Sequence, residues 1–187
     1  MQVNRCGWVS EDPLYQHYHD TVWGRPEFDP KQLFAKLCLD GQQAGLSWIT
    51  ILKKQQNYEL LFANFEPSII AQYDQVKVAE LMLEPGIVRN RLKINSIIRN
   101  AKAYLAFVEQ GDDFSKFLWG FVGGKPKENN FSSLSQVPAQ TPESEAMSKA
   151  LKKLGFNFVG PTICYAFMQA VGMVNDHTTD CHCYGQY

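Results

Sequence analysis

The sequence predicts an all-α protein that forms a single domain over residues 1–187. Two observations support this prediction: apolar residues recur at spacings of three and four along several segments, and proline and glycine stand at the ends of those segments. Alternating patterns typical of β-strands are hard to find. A chain of 187 residues with 45% hydrophobic side chains is also long enough to bury a sizeable core.

The first predicted helix is "PKQLFAKLCLDGQQAG". Its apolar residues Leu33, Phe34 and Leu37 lie on one face of a helix. Asp29 precedes the segment and can cap its free N–H groups, and Pro30 is well suited to the first helical position.

The later predicted helices begin and end at similar signals. Apolar residues recur with the helical period from Leu92 to Val108. Another helix begins at Thr141, which a proline follows, and ends at Gly155. A further helix begins at Gly160, again before a proline. The polar segment "GGKPKENNFSSLSQVP" is predicted to be a surface connection.

Composition narrows the classes of function. The net charge is −1, so any surface for nucleic acid must come from local basic clusters. No stretch reaches the ~20 apolar residues that span a bilayer, and the N-terminus lacks the apolar core of a signal peptide. We therefore expect a soluble, cytoplasmic protein without stable disulfides. We also expect it to be a monomer. Cys38 and Cys164 lie within apolar helical patterns and are expected to be core residues.

Cysteines and histidines occur at both ends of the chain. The N-terminal pair has twelve residues between its members, the C-terminal pair has three, and 157 residues separate the pairs (177 − 19 − 1). Two thiolates and two imidazoles suit tetrahedral zinc and would leave no open position, so such a site would be structural. Spacing alone leaves open that these residues are unrelated, and three neighbours could compete as ligands. The proposed set is Cys6, His19, His177 and Cys181, and the competitors are His17, His182 and Cys183.

A basic helix start follows a tight turn in "EPGIVRNRLKINSIIRNAKAY". With "DQVKVAELMLE" as the first helix, residues 74–107 have the layout of a helix-hairpin-helix. Such a hairpin directs backbone N–H groups toward a phosphate, and basic side chains add charge. An ordinary helical corner with solvated basic residues is the alternative, and Val88 stands where this motif often has a second glycine. The candidate DNA contacts here are Gly86, Val88, Arg89 and Lys93.

An acidic residue and a tryptophan flank the turn "GQQAG". Asp40 precedes this turn, and Leu46 and Trp48 follow it. Aromatic residues also crowd the N-terminal segment. They could be core residues, since Trp and Tyr usually anchor packing, or they could form a stacking pocket in which one buried acid orients a flat ligand. These aromatic residues are Trp8, Tyr15, Tyr18 and Trp23.

Four motifs resemble the DNA-3-methyladenine glycosylase I family, the constitutive bacterial alkylation-repair glycosylases. They are "RCGWVSEDPLYQHYHDTVWG", "DGQQAGLSWITILKK", "GIVRNRLKI" and "SKALKKLGFNFVGPTICYAFMQAVGMVNDH", in order over nearly the whole chain. The resemblance implies a helix-hairpin-helix fold, one structural zinc joining residues 6–19 to 177–181, and hydrolytic release of N3-methyladenine from double-stranded DNA without strand cleavage. Free 3-methyladenine would be the product.

The resemblance also implies roles for individual residues. Trp48 would stack on a flipped base surrounded by Trp8, Tyr15, Tyr18 and Trp23. Leu46, beside Gly45, would fill the gap left in the duplex. Asp40 is the candidate catalytic residue, in the role of recognising the base. The family usually has glutamate at this position, one methylene longer.

Two aspartates lie where many other helix-hairpin-helix glycosylases place an acid that supports the sugar cation. We expect Asp112 and Asp113 instead to be surface residues that open the next helix, because the family resembled here does not use that acid. A zinc-clasped DNA-binding module without catalysis is the competing class of function. The combination of Trp48, Asp40 and Tyr18 argues against it.

Overall fold

A computed structural model describes residues 3–187, and within that range the chain is mostly helical, as predicted. Its α-helices are α1 (Pro13–Thr21), α2 (Pro30–Gln42), α3 (Trp48–Leu61), α4 (Pro67–Ile70), α5 (Gln75–Leu81), α6 (Arg91–Glu109), α7 (Phe114–Trp119), α8 (Pro142–Lys153) and α9 (Pro161–Ala170). Short 3-10 turns occur at Ala63–Phe65, Gly120–Val122 and Leu134–Gln136.

The predicted helix signals are confirmed. Asp29 accepts hydrogen bonds from the N–H groups of Lys31 and Gln32 at the start of α2. Thr141 and Ser144 form a capping box at the start of α8. Gly155 follows α8 with a φ of +100°, a backbone conformation that glycine adopts without strain.

The all-α prediction needs one small correction. Strands β1 (Lys127–Glu128) and β2 (Val174–Asn175) pair in parallel, with Lys127 opposite Val174. Two extended segments, one from the predicted surface connection and one after α9, satisfy each other's backbone groups here. A pairing of two residues is too short to produce an alternating pattern in the sequence.

The core brings the N- and C-terminal thirds of the chain together. Helix α2 packs against α6 and α9, and α8 packs against α9. Cys38 and Cys164 are buried, as predicted. Asp113 caps α7 by accepting from the N–H of Lys116, which agrees with the predicted helix start. None of the described helices is long and apolar enough to cross a membrane.

Candidate functional site

Four buried side chains from the two ends of the chain converge on one point. The donor atoms of Cys6, His19, His177 and Cys181 all lie within 4.8 Å of one another. The Cys181 Sγ is 3.5 Å from His19 Nε2 and 3.6 Å from His177 Nδ1, and Cys6 Sγ is 3.6 Å from the same Nδ1. Tetrahedral bonds of about 2.3 Å to sulfur and 2.0 Å to nitrogen imply S···N distances of about 3.5 Å. This cluster could therefore hold a metal ion.

The surroundings of the cluster also suit a metal. His19 Nδ1 lies 2.8 Å from a carboxylate oxygen of Asp20, the arrangement that orients many metal-bound histidines. Arg5 pairs with the same carboxylate at 2.7 Å and lowers the pKa of Asp20 to about 2. Gly24, at a φ of +82°, lies so close to His177 that an added Cβ would be 2.8 Å from Nε2.

The two thiols have opposite pKa shifts. The Cys6 thiol lies against Cys181, which raises the pKa of Cys6 and lowers that of Cys181, and both histidines lower the Cys181 pKa further. One thiolate is thus already favoured, and a divalent cation would favour both.

The competing residues are placed less well. His17 and His182 are exposed, whereas each member of the four-residue cluster is buried. Cys183 is buried, and it can form smaller groupings with Cys181 and His182 or with His19 and Asp20. The four predicted residues form the larger set.

A cavity of about 370 Å³ lies beside this cluster. The six residues expected around a flipped base line this cavity, although they come from three separate segments. They are Trp8, Tyr15, Tyr18, Trp23, Asp40 and Trp48. The sequence could not decide between a core and a pocket for these aromatic residues. Their positions around an open volume favour the pocket.

The aromatic wall connects the cavity to the cysteine–histidine cluster. The ring centroids of Trp8 and Trp23 are 4.9 Å apart. Trp23 in turn meets His177 edge to face at 4.8 Å, and Trp8 meets His19 at 5.3 Å. A metal at the cluster would consequently fix two tryptophans of the cavity as well as the chain ends.

Asp40 lies at the C-terminal end of α2 and is 2% exposed. One of its oxygens, Oδ2, is buried without a hydrogen-bond partner among residues 3–187. Burial raises the pKa of this carboxyl, and the neighbouring Lys36 opposes the shift. A buried carboxylate with a free acceptor is a ready partner for an N–H group of a ligand.

Lys36 was missed by the sequence reasoning. It lies one turn before Asp40 on α2, and its Nζ is 2.6 Å from Asp40 Oδ1. The same ammonium lies 3.4 Å from the ring centroid of Trp48, close enough for a cation–π contact. The available signal was the spacing of four residues, which places two side chains on one helix face.

A second polar group on the opposite wall was also missed. Asp176 lines the cavity and is almost fully buried. Its carboxylate accepts from the hydroxyl of Tyr165, from Gln169 at 2.9 Å and from Asn129 at 2.7 Å. Asp176 therefore holds α9 beside the cavity with its acceptors already engaged.

The turn between α2 and α3 carries the predicted wedge. Gly45 has a φ of +77°, and nothing lies within 4 Å of the position that a Cβ would occupy. Leu46 follows it and is 41% exposed, so its apolar side chain is available at the surface beside the cavity. Ser47 precedes α3, whose first residue is Trp48. The wedge candidate and the stacking candidate thus lie at two ends of one short turn.

The hairpin between α5 and α6 is fastened to this region. An added Cβ on Gly86 would lie 2.8 Å from the side chain of Asn57, which would have to move, so the two segments approach closely here. The N–H of Val88 donates to the hydroxyl of Tyr58 at 3.1 Å. This N–H is engaged within the protein, contrary to the idea that it faces a phosphate. Arg89 is exposed.

Lys93 was predicted to contact DNA, but it lies inside the protein. Its side chain is buried, and its ammonium donates to the carbonyls of Gln42 at 2.8 Å and Ala44 at 2.5 Å. Its charge is used to hold the carbonyls that end α2. Lys93 therefore positions the turn that carries Leu46, and the structure gives no support for a phosphate contact.

Known proteins resemble this chain over nearly its whole length. Residues 8–184 match the family described as methyladenine glycosylase. The chain is 53% identical over 182 residues to DNA-3-methyladenine glycosylase 1 of Escherichia coli (strain K12), which covers 97% of each chain. A crystal structure of 3-methyladenine DNA glycosylase I superposes with a TM-score of 0.96 at 54% identity, covering 96% of this chain and 99% of that one.

A further solved structure concerns the recognition of the base. It describes the structural basis of 3-methyladenine recognition by the Staphylococcus aureus 3-methyladenine DNA glycosylase I. That chain superposes with a TM-score of 0.92 at 42% identity, and 96% of each chain is covered.

Proposed function

The chain belongs to the methyladenine glycosylase family, and from this premise we propose that it hydrolyses the N-glycosidic bond of N3-methyladenine in alkylated double-stranded DNA. The products are free 3-methyladenine and an abasic site in an intact strand. We further propose that the protein acts as a monomer in the cytoplasm, the compartment of bacterial DNA.

One observation supports the proposal above the others. One cavity, large enough for a purine, is lined both by a buried acid with a free acceptor oxygen and by a tryptophan. Asp40 and Trp48 could thus recognise the edge and the face of one flipped base. A DNA-binding module without catalysis would have no use for such a cavity.

The chemistry needs little from the protein beyond binding and placement. Methylation at N3 gives the adenine a positive charge, so the base leaves with the electron pair of the glycosidic bond and becomes neutral. Positive charge then develops on the sugar, and water attacks it. The protein must unstack the nucleotide, which requires a few kcal/mol and less for a damaged base.

We assign Asp40 to recognition of the base. Its free oxygen can accept from the exocyclic amino group of adenine, and guanine has a carbonyl at that position. The ring of the leaving base needs no proton, so a proton donor has little to do here. Stabilising the ground-state cation alone would not speed bond breaking, and Asp40 therefore serves selectivity first.

We assign a structural zinc ion to Cys6, His19, His177 and Cys181. The S···N distances of 3.5 and 3.6 Å and the carboxylate behind His19 support this assignment. Zinc bound by four side chains has no open coordination position, so it stabilises the fold and takes no part in the reaction. Its ligands His19 and His177 would in turn hold the Trp8 and Trp23 side chains of the cavity in place.

We assign contact with the duplex to the wedge turn and the hairpin. Gly45 lets the chain reverse so that Leu46 projects from the surface, where an apolar side chain can enter the base stack. Arg89 is exposed two residues before the start of α6, where it can meet a phosphate. Lys93 acts indirectly, by holding the carbonyls of the wedge turn.

The decisive experiment measures base release from methylated duplex DNA. We expect release of 3-methyladenine, with much slower release of 7-methylguanine from the same DNA, and no strand cleavage. A Trp48→Ala variant, checked for folding by circular dichroism, is the comparison, and it should release 3-methyladenine more slowly than the wild type. If the protein bound duplex DNA and released neither base, it would be a DNA-binding module and the proposal would be wrong.

A further inference from the structure

The place in the cavity where a base would stack already holds a cation. The Lys36 ammonium lies 3.4 Å from the ring centroid of Trp48 and 5.8 Å from that of Tyr18, whose rings are 5.6 Å apart. The same ammonium donates to Asp40. Lys36 thus occupies the face of the tryptophan and one oxygen of the acid at the same time.

These two contacts are the ones that a methylated adenine would make. The damaged base is a flat cation with N–H groups on its edge, and Lys36 presents a cation with three N–H groups. Both are attracted to the face of an aromatic ring, and both can donate to a carboxylate. The ammonium and the base therefore compete for the same two partners.

We propose that Lys36 is a displaceable occupant of the base pocket, which holds Asp40 and Trp48 in the free protein and leaves them when the flipped base binds. This inference rests on the proposed function. It adds a residue that sets the affinity for the base, and it implies that binding of the methylated base within DNA exchanges one positively charged partner for another.

The structure provides a place for the displaced side chain. Lys36 lies on the boundary between the base pocket and a second cavity of about 270 Å³. Glu27 and Glu59 are among the residues that line that second cavity. A rotation of the flexible lysine side chain can therefore move the ammonium away from Asp40 and toward a cavity that two acidic residues line.

Displacement has a distinct kinetic consequence. The contacts of Lys36 with Asp40 and Trp48 stabilise the free protein, and they are absent from both the bound substrate state and the transition state. Removing them strengthens ground-state and transition-state binding equally, which changes KM and leaves kcat as it is. A lysine that remained beside the reacting base would change kcat, because the charge of the base changes during bond breaking.

The test uses Lys36→Met, which removes the charge and retains an unbranched apolar side chain. Free 3-methyladenine is neutral, but it needs the same ring face and the same carboxylate that Lys36 occupies. We therefore expect it to bind roughly 3- to 30-fold more tightly once the contacts of Lys36, one cation–π contact and one charge-assisted hydrogen bond, are removed. On methylated DNA, KM should fall while kcat follows the wild type. Lys31→Met is the matched control, because Lys31 begins the same helix and pairs with Glu66, away from the cavity.

A second comparison makes the test independent of the folding of that variant. Lys36→Met leaves the buried Asp40 carboxylate without its counter-charge, so Asp40→Asn and Asp40→Asn/Lys36→Met form a pair without that carboxylate. Removing the lysine should again tighten base binding, by a smaller factor, because only the contact with Trp48 remains to be lost.

Two outcomes would overturn the inference: equal or weaker base binding without Lys36 in both backgrounds, or a change in kcat that accompanies the change in KM. Failure of the proposed function looks different. In that case the wild type itself neither binds free 3-methyladenine nor releases it from DNA.

Discussion

The cysteine–histidine cluster and the base pocket share an aromatic wall, yet they use their polar groups in opposite ways. In the cluster, four donors converge, and one of the histidines is oriented by Asp20. In the pocket, Asp40 has one oxygen engaged by a flexible lysine and one oxygen free. The first arrangement suits a permanent occupant, and the second suits one that exchanges.

The largest effect should come from the cluster. His177→Ala removes one donor and lets the two chain ends separate, so we expect a loss of at least about 3 kcal/mol in unfolding free energy, because such sites can contribute on the order of 10 kcal/mol in small zinc domains. Thermal melting with and without a chelator measures it. The expected metal content is about one zinc per chain by elemental analysis.

His17→Ala is the matched control for that measurement. This histidine is exposed on α1, and its loss should change stability by no more than about 0.5 kcal/mol. Natively purified protein without zinc, or equal melting of the two variants, would contradict the assignment of a structural metal.

The next effect comes from breaking the pair inside the pocket. Asp40→Asn leaves the Lys36 ammonium without its buried counter-charge. Loss of one partner of a buried ion pair usually costs about 3–5 kcal/mol of unfolding free energy, and we expect a loss of about 3 kcal/mol here. Base affinity and selectivity for adenine should fall together. Asp40→Glu retains the charge with one more methylene and should be tolerated, as base release on methylated DNA will measure.

The pH dependence of stability has a definite sign for Asp40. Its pKa in the folded protein is raised by burial above the ordinary value of 3.8, so the folded state binds the proton more tightly than the unfolded state. This contribution to stability is fully present below pH 3.8 and is lost as pH rises through the raised pKa. The loss should be absent from Asp40→Asn.

The pH dependence of the rate tests the recognition role. If the wild type showed an acid limb that disappeared in Asp40→Asn, with base affinity unchanged, then Asp40 would transfer a proton and the assignment of recognition would be wrong.

Removing the stacking surface should have a smaller effect on stability and a specific effect on binding. Trp48→Ala should lose roughly 1–3 kcal/mol of affinity for free 3-methyladenine, the usual scale for a base stacked on an aromatic ring. Titration of the folded variant measures it. Trp119→Ala is the control, because Trp119 is buried on α7 outside the base cavity. Equal loss of base affinity in both variants would indicate general destabilisation.

The two regions also differ in how far the sequence could predict them. The cluster consists of residue types that are uncommon near chain ends, so the residue types and the family resemblance together identified a set of four. The pocket is formed by residue types that are common throughout the chain, and its composition depends on the direction of their side chains in the folded protein. A lysine on a helix is usually solvated, and only the four-residue spacing from Asp40 hinted that Lys36 lies inside.

Lys93 illustrates the same limit. The sequence pattern is the same for a basic residue in the first turns of a helix that faces a phosphate and for one that faces the carbonyls of a neighbouring turn. The turn that Lys93 holds lies about 50 residues earlier in the chain. Local spacing therefore predicted the helix correctly and gave no indication of the partner.

The smallest expected effect separates Arg89 from Lys93. Arg89→Ala removes one exposed charge, so binding to damaged and undamaged duplex should weaken alike, and the slope of log affinity against log salt should shrink by about 1.

Lys93→Met should instead lower thermal stability and base release, because the carbonyls of the turn that carries Leu46 lose their donor, while the salt slope stays near that of the wild type. Lys102→Ala, an exposed charge further along α6, is the matched control for both. The measurement is duplex affinity across a salt series, with melting temperature recorded for each variant. A reduced salt slope in Lys93→Met would place its ammonium at the DNA after all, and a change of base preference in Arg89→Ala at normal duplex affinity would remove the hairpin from the DNA interface.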